Sequence, residues 1–72
     1  MGTLTISDGN FEYLWASDVD YDGMRLEVND LEGQFWFDVS VSDAGTMTVN
    51  TFSREVPADL ITAAVALAKE RQ

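Results

Sequence analysis

Residues 46–71 read TMTVNTFSREVPADLITAAVALAKER, and within that stretch the spacing of the apolar residues changes once. Up to Phe52 the period is two: Met47, Val49 and Thr51 point one way while Thr48, Asn50 and Phe52 point the other, the alternation of a strand with one covered side. From Pro57 onward the period is that of a helix. Leu60, Ile61, Ala64, Val65 and Ala68 fall on one stripe, Thr62, Ala63 and Ala66 lie elsewhere, and Pro57 suits a helix start. Asp59 in the first turn, with Lys69 and Arg71 in the last, complements the helix dipole. The segment Ser53 to Val56 therefore hands a sheet over to a C-terminal helix spanning about residues 57–71.

Upstream of that handover the chain reads as strands between turn signals. Strands are predicted over Thr3–Ile6, Phe11–Ala16, Met24–Val28, Phe35–Val41 and Thr46–Phe52, with turn chemistry in Ser7 to Asn10, Asn29 to Gly33 and Ser42 to Gly45. Short connections favour neighbours in sequence pairing with each other. The expectation is thus a single α+β domain over residues 1–72: a four- or five-stranded antiparallel meander over about residues 3–52, with the helix packed on one face. The helix should cover the side carrying Leu26, Val28, Phe35, Phe37, Val39, Met47 and Val49. The opposite side, with Arg25, Glu27, Trp36, Asp38, Ser40, Thr48, Asn50 and Phe52, must meet water or a partner. Trp36 and Phe52 are its large apolar members, an anchor pair with a polar rim.

Composition narrows the chemistry. An apolar share of 46% with 11% aromatic residues is too high for a disordered chain. With no Cys and no His there is no disulfide, thiolate nucleophile, imidazole base or usual zinc or haem site; neither Tyr13 nor Tyr21 has a recognisable catalytic partner, and Lys69 sits at the frayed helix end. A pair of carboxylates could hydrolyse a glycoside only within a substrate-burying cleft, for which so small a domain has little room. A non-enzymatic protein is expected. No apolar run approaches the roughly 20 residues of a membrane-spanning helix, and the absence of cysteine fits a reducing compartment, so the expected location is the cytoplasm.

Charge is the strongest signal. Thirteen acids against four bases leave a formal −9, and every acid except Glu55, Asp59 and Glu70 precedes residue 54, where Arg25 is the lone base. The sheet half carries the whole net charge. Such a surface repels nucleic acid and anionic membrane and attracts basic partners. In Asp18-Val19-Asp20-Tyr21-Asp22-Gly23, alternate carboxylates in an extended chain lie roughly 6.6 Å apart, the scale on which nucleic-acid phosphates repeat. In size and charge the chain resembles small acidic inhibitors that mimic DNA, such as phage anti-restriction and anti-CRISPR proteins. That resemblance, one of class without a shared motif, implies an inhibitor that blocks the basic nucleic-acid site of a bacterial enzyme or complex. The residues expected to contact the partner are Asp18, Asp20, Asp22, Glu27, Asp30, Glu32 and Asp38 by charge, and Trp36 and Phe52 as apolar anchors.

Three alternatives share these residues. An immunity or antitoxin-like inhibitor of a basic nuclease toxin would use the same acids. The hexapeptide from Asp18 also fits the opening D-x-D-x-D-G of a calcium loop, with the Met24 carbonyl and Glu27 or Asp30 as further oxygens. Its second half departs from the EF-hand pattern, since Asn29 stands where the bidentate acid belongs and Arg25 where an apolar residue belongs. No other metal or cofactor is expected. Finally, Trp36 and Phe52 could pair across a two-fold axis in a homodimer.

Overall fold

The alternation is realised as five strands and one helix in a computed structural model that describes residues 1–17 and 23–71. The strands are β1 (Gly2–Ile6), β2 (Gly9–Ser17), β3 (Gly23–Asp30), β4 (Phe35–Ser42) and β5 (Met47–Asn50), followed by α1 (Ala58–Arg71). They stand in sequence order in one sheet, and each neighbouring pair is antiparallel. The protein is a five-stranded meander with a single C-terminal helix packed against it. Pro57 sits just outside the helix, and its carbonyl accepts from Leu60 N at 3.0 Å and Ile61 N at 3.2 Å. No helix among the described residues is long and apolar enough to cross a membrane.

Two of the turns are built alike. Asp30 N donates to Gln34 O, Gly33 N to Asp30 O and Gln34 N to the Asp30 Oδ1, at 2.9–3.0 Å. Ser42 repeats the pattern with Thr46 and Gly45, its Oγ taking the bond from Thr46 N at 3.1 Å. In each, the third loop residue is a glycine with positive φ, 87° at Gly33 and 91° at Gly45, where an L side chain would be strained. A short acceptor side chain followed three residues later by glycine is the local reason that β3 turns into β4 and β4 into β5.

The core lies between the helix and the middle of the sheet. Leu26, Val28, Phe37, Val39, Leu60, Ala64 and Ala68 are wholly buried, with Phe11 and Val41 nearly so. Met47, Val49, Ile61 and Val65 pack around them half-buried. Cross-strand pairs place Leu26 opposite Val39 and Val28 opposite Phe37, so the two central strands present one continuous apolar patch to the helix.

At one place the alternation breaks, and it moves two aromatic residues. Val28 faces Phe37, yet Asn29 faces Phe35, so Phe35 and Trp36 together oppose one residue in a β-bulge. Beyond the bulge the faces exchange. Phe35, expected beneath the helix, is 39% exposed, its ring 5.5 Å from that of Phe52. Trp36, expected on the open face, is half-buried against the core with its ring edge-on to Phe11 at 4.8 Å. Phe52 does not belong to a strand either: β5 ends at Asn50, and Phe52 and Ser53 follow in a turn with φ of 55° and 65°. The expected aromatic pair of Trp36 and Phe52 is replaced by Phe35 and Phe52.

Phe37→Ala should cost about 3–5 kcal/mol through the cavity it leaves, a large share of the about 4–11 kcal/mol available to a chain of this length. Phe52→Ala, which removes an exposed ring, should cost about 1 kcal/mol or less. Urea unfolding of the two variants measures both, and equal losses would contradict the placement of the core.

Candidate functional site

A single helix covers a single face, and the other face of the sheet has to bury its own polar groups. Alternation puts Arg25, Glu27 and Asn29 of β3, Asp38 and Ser40 of β4, and Thr48 and Asn50 of β5 there, with Glu12 and Leu14 of β2. Over β4 and toward the β5 edge lies an open depression of about 410 Å³ lined by Arg25, Asp38, Ser40, Thr48, Asn50 and Phe52.

Its floor is a polar network. Asp38 is only 2% exposed although no element among the described residues covers this face, and a buried carboxylate is costly unless it is paired and hydrogen-bonded. Asn50 opposite it on β5 donates Nδ2 to the Asp38 Oδ1 at 2.6 Å and more loosely to the Ser40 Oγ at 3.3 Å. Diagonally across β3, the Arg25 Nε stands 3.6 Å from the Asp38 Oδ2. Asp38 was expected to offer its charge to a partner. Its burial and these contacts make it the internal fastening of the face, because Arg25 and Asn50 close over it from the two flanking strands.

Glu27 lies directly opposite Asp38, and Glu12 lies one strand farther out, opposite Asn29. Two like charges facing each other across a strand pair destabilise a sheet. Arg25, the single base of residues 1–53, offsets that repulsion at Asp38. The rim is aromatic: Phe52, 66% exposed, borders the depression and leans on Phe35.

A second group of the expected residues gathers at the end of the sheet. The carboxylate of Asp30 accepts from Glu32 N and Gln34 N through Oδ1, both at 2.9 Å, and from the Trp36 Nε1 through Oδ2 at 3.2 Å. The bond from the Gln34 amide holds its pKa below the ordinary carboxylate value, against a smaller opposing effect of burial; the bonds from Trp36 and Glu32 and the charge of Arg54 add to the lowering. Arg54 also lies over the Trp36 ring, 4.7 Å from its centre. Asp30 and Trp36 therefore serve the turn and the core edge, whereas Glu32 is exposed on the same turn. Asp18, Asp20 and Asp22, and with them the calcium reading, lie outside the described residues. Among the described residues no group of three or more acids is placed to hold a metal ion.

The exposed aromatic that sequence reasoning placed beneath the helix is Phe35. The signal that could have found it is the run Phe35-Trp36-Phe37, three large aromatics in a row where an alternating strand places only two on one side.

Asp30 makes a pH prediction. A carboxylate whose folded pKa lies below its unfolded value, close to 3.8, adds stability that is complete above that value and is lost as pH falls through the folded one. Asp30→Asn should lower stability at neutral pH and flatten the loss below the ordinary carboxylate range, read as urea midpoints across acid pH with Trp36 and Trp15 fluorescence as probe. Parallel acid profiles for the two proteins would refute the role given to Asp30.

No protein-family model, no curated protein and no solved structure matches the chain, so its function has to be argued from the chemistry of this face.

Proposed function

We propose that the protein is a non-enzymatic, acidic binding protein whose open sheet face occupies the basic nucleic-acid site of another protein. The observation that carries this reading is the use made of Arg25. The sheet half bears the whole formal −9, and its lone base stands against the buried Asp38. Glu12 and Glu27 on the same face, with Asp8, Glu32 and Asp43 at the turns, add further acids to that half. Charge concentrated in this way lowers stability by self-repulsion and raises the rate of encounter with a basic surface.

The depression and its rim supply the shape. Phe52 and Phe35 form an exposed aromatic corner beside the polar floor, the arrangement in which an apolar anchor is ringed by groups that position it. Phe52 holds a left-handed backbone conformation that a bulky residue adopts at a cost of roughly 1–2 kcal/mol, and strain of this kind gathers at binding sites. Within this reading an inhibitor of the phage anti-restriction or anti-CRISPR class is the finer proposal, supported by size and charge.

Affinity capture from bacterial lysate, at low and high salt and with competitor DNA, tests the proposal. The expected partner is a nucleic-acid-binding protein that DNA displaces and salt releases. Glu12→Lys with Glu27→Lys should weaken its binding by about tenfold and reduce the salt dependence, since each exposed pair contributes a few tenths to one kcal/mol and reversal replaces attraction by repulsion. Binding that neither salt, DNA nor the two reversals changes would exclude the mimic.

A further inference from the structure

The geometry points to a second binding surface on this protein: the free edge of β1, through which two copies of the chain join antiparallel, with Leu4 on the two-fold axis, into one continuous sheet. This interface does not rest on the nucleic-acid-mimic reading.

β1 is the outer strand of the sheet and, among the described residues, pairs only with β2. The two are joined by a turn at Ser7 and Asp8, with Ile6 opposite Gly9. The pair that closes a two-residue hairpin exchanges its main-chain bonds, so Ile6, Leu4 and Gly2 turn their amides and carbonyls toward β2. Those of Thr3 and Thr5 point away from the sheet. An edge like this templates a further strand unless it is short, bulged, or guarded by charge or proline.

β1 has none of these guards. Gly2 to Ile6 carries no charged side chain and no proline, and its register with β2 is regular. In a chain of −9 the first charged side chain is that of Asp8. The other edge is protected differently: β5 is four residues long, and the left-handed pair Phe52 and Ser53 follows close behind it. The two edges are unlike, and on the uncharged one Thr3 and Thr5 are exposed.

The register makes the edge complementary to itself. With Leu4 opposite Leu4, Thr3 of one copy faces Thr5 of the other, and these are the residues whose amides and carbonyls point outward. Each such pair exchanges both main-chain bonds and sets two threonines side by side on the open face, a favourable cross-strand pair. On the helix side Leu4 meets Leu4 and Gly2 meets Ile6. Leu4 and Ile6 are half-buried against the core in one copy, so pairing withdraws more of their apolar surface from water. Paired residues share a face, which leaves both helices on one side and both acidic faces together on the other.

Sedimentation of the full chain, from about 10 µM to about 1 mM at about 0.05 M and about 0.5 M salt, tests the pairing. A dimer should form, favoured by the higher salt because two chains of like charge repel less when screened. Thr5→Pro and Thr3→Pro each remove an outward amide without breaking a bond to β2, and both should be monomeric with an unchanged circular dichroism spectrum. On the unaltered chain, hydrogen exchange should slow by about tenfold or more at the Thr3 and Thr5 amides as concentration rises through the dimer transition. A monomer throughout the range would overturn the proposal. So would a dimer that both proline variants retain, or one in which the Thr3 and Thr5 amides exchange freely.

Discussion

The contact on which the rest of the structure depends is the seating of Leu60, Ala64 and Ala68 on Leu26, Val28, Phe37 and Val39, all wholly buried. Ala64 and Ala68 are small, and Leu60 is the large side chain that the helix buries as completely. Because this is the one helix among the described residues, it can shield one side of the sheet and no more. Everything distinctive about the opposite side follows from the lack of a second layer. A sheet face without a cover must satisfy its own polar groups or carry its own apolar ones exposed, and this face does both.

The network of Asp38, Asn50, Ser40 and Arg25 is the polar half of that solution. It places a carboxylate in near-complete burial within a shell of side chains from three adjacent strands. An ion pair with one buried member contributes less to stability than to uniqueness, because taking the carboxylate out of water offsets much of the attraction. Its register function is concrete: only the observed pairing of β4 with β5 brings Asn50 opposite Asp38. The aromatic half is Phe35 with Phe52, and the bulge opposite Asn29 creates it by turning Phe35 outward and Trp36 inward. Trp36, once inside, draws Asp30 and Arg54 to it, tying the turn before β4 and the segment before α1 to the same end of the sheet.

Much of this was legible beforehand. The order of elements, the meander and the helix stripe were readable from Met47-Thr48-Val49 against Leu60-Ile61 and Ala64-Val65, because burial on one side imposes a period that composition alone cannot mimic. The two turns closed by Gly33 and Gly45 were equally readable, since their bonds are local to five residues. The candidate site was legible in part: Glu27 and Phe52 do lie at the open face, whereas Asp38 is buried there, Asp30 is absorbed by its turn, and Trp36 lies on the other side.

What the amino-acid sequence by itself determined is therefore the set of elements, their order and the location of the charge, all properties of residues near one another in the chain. What only the tertiary structure decided is which side chains reach the surface. A bulge is a property of two strands in register, invisible in either alone, and it reversed the roles of Phe35 and Trp36. The burial of Asp38 likewise depends on Arg25 and Asn50, residues 13 and 12 positions away whose approach the sheet register sets. Periodicity states which face a residue occupies; only packing across strands states whether water reaches it.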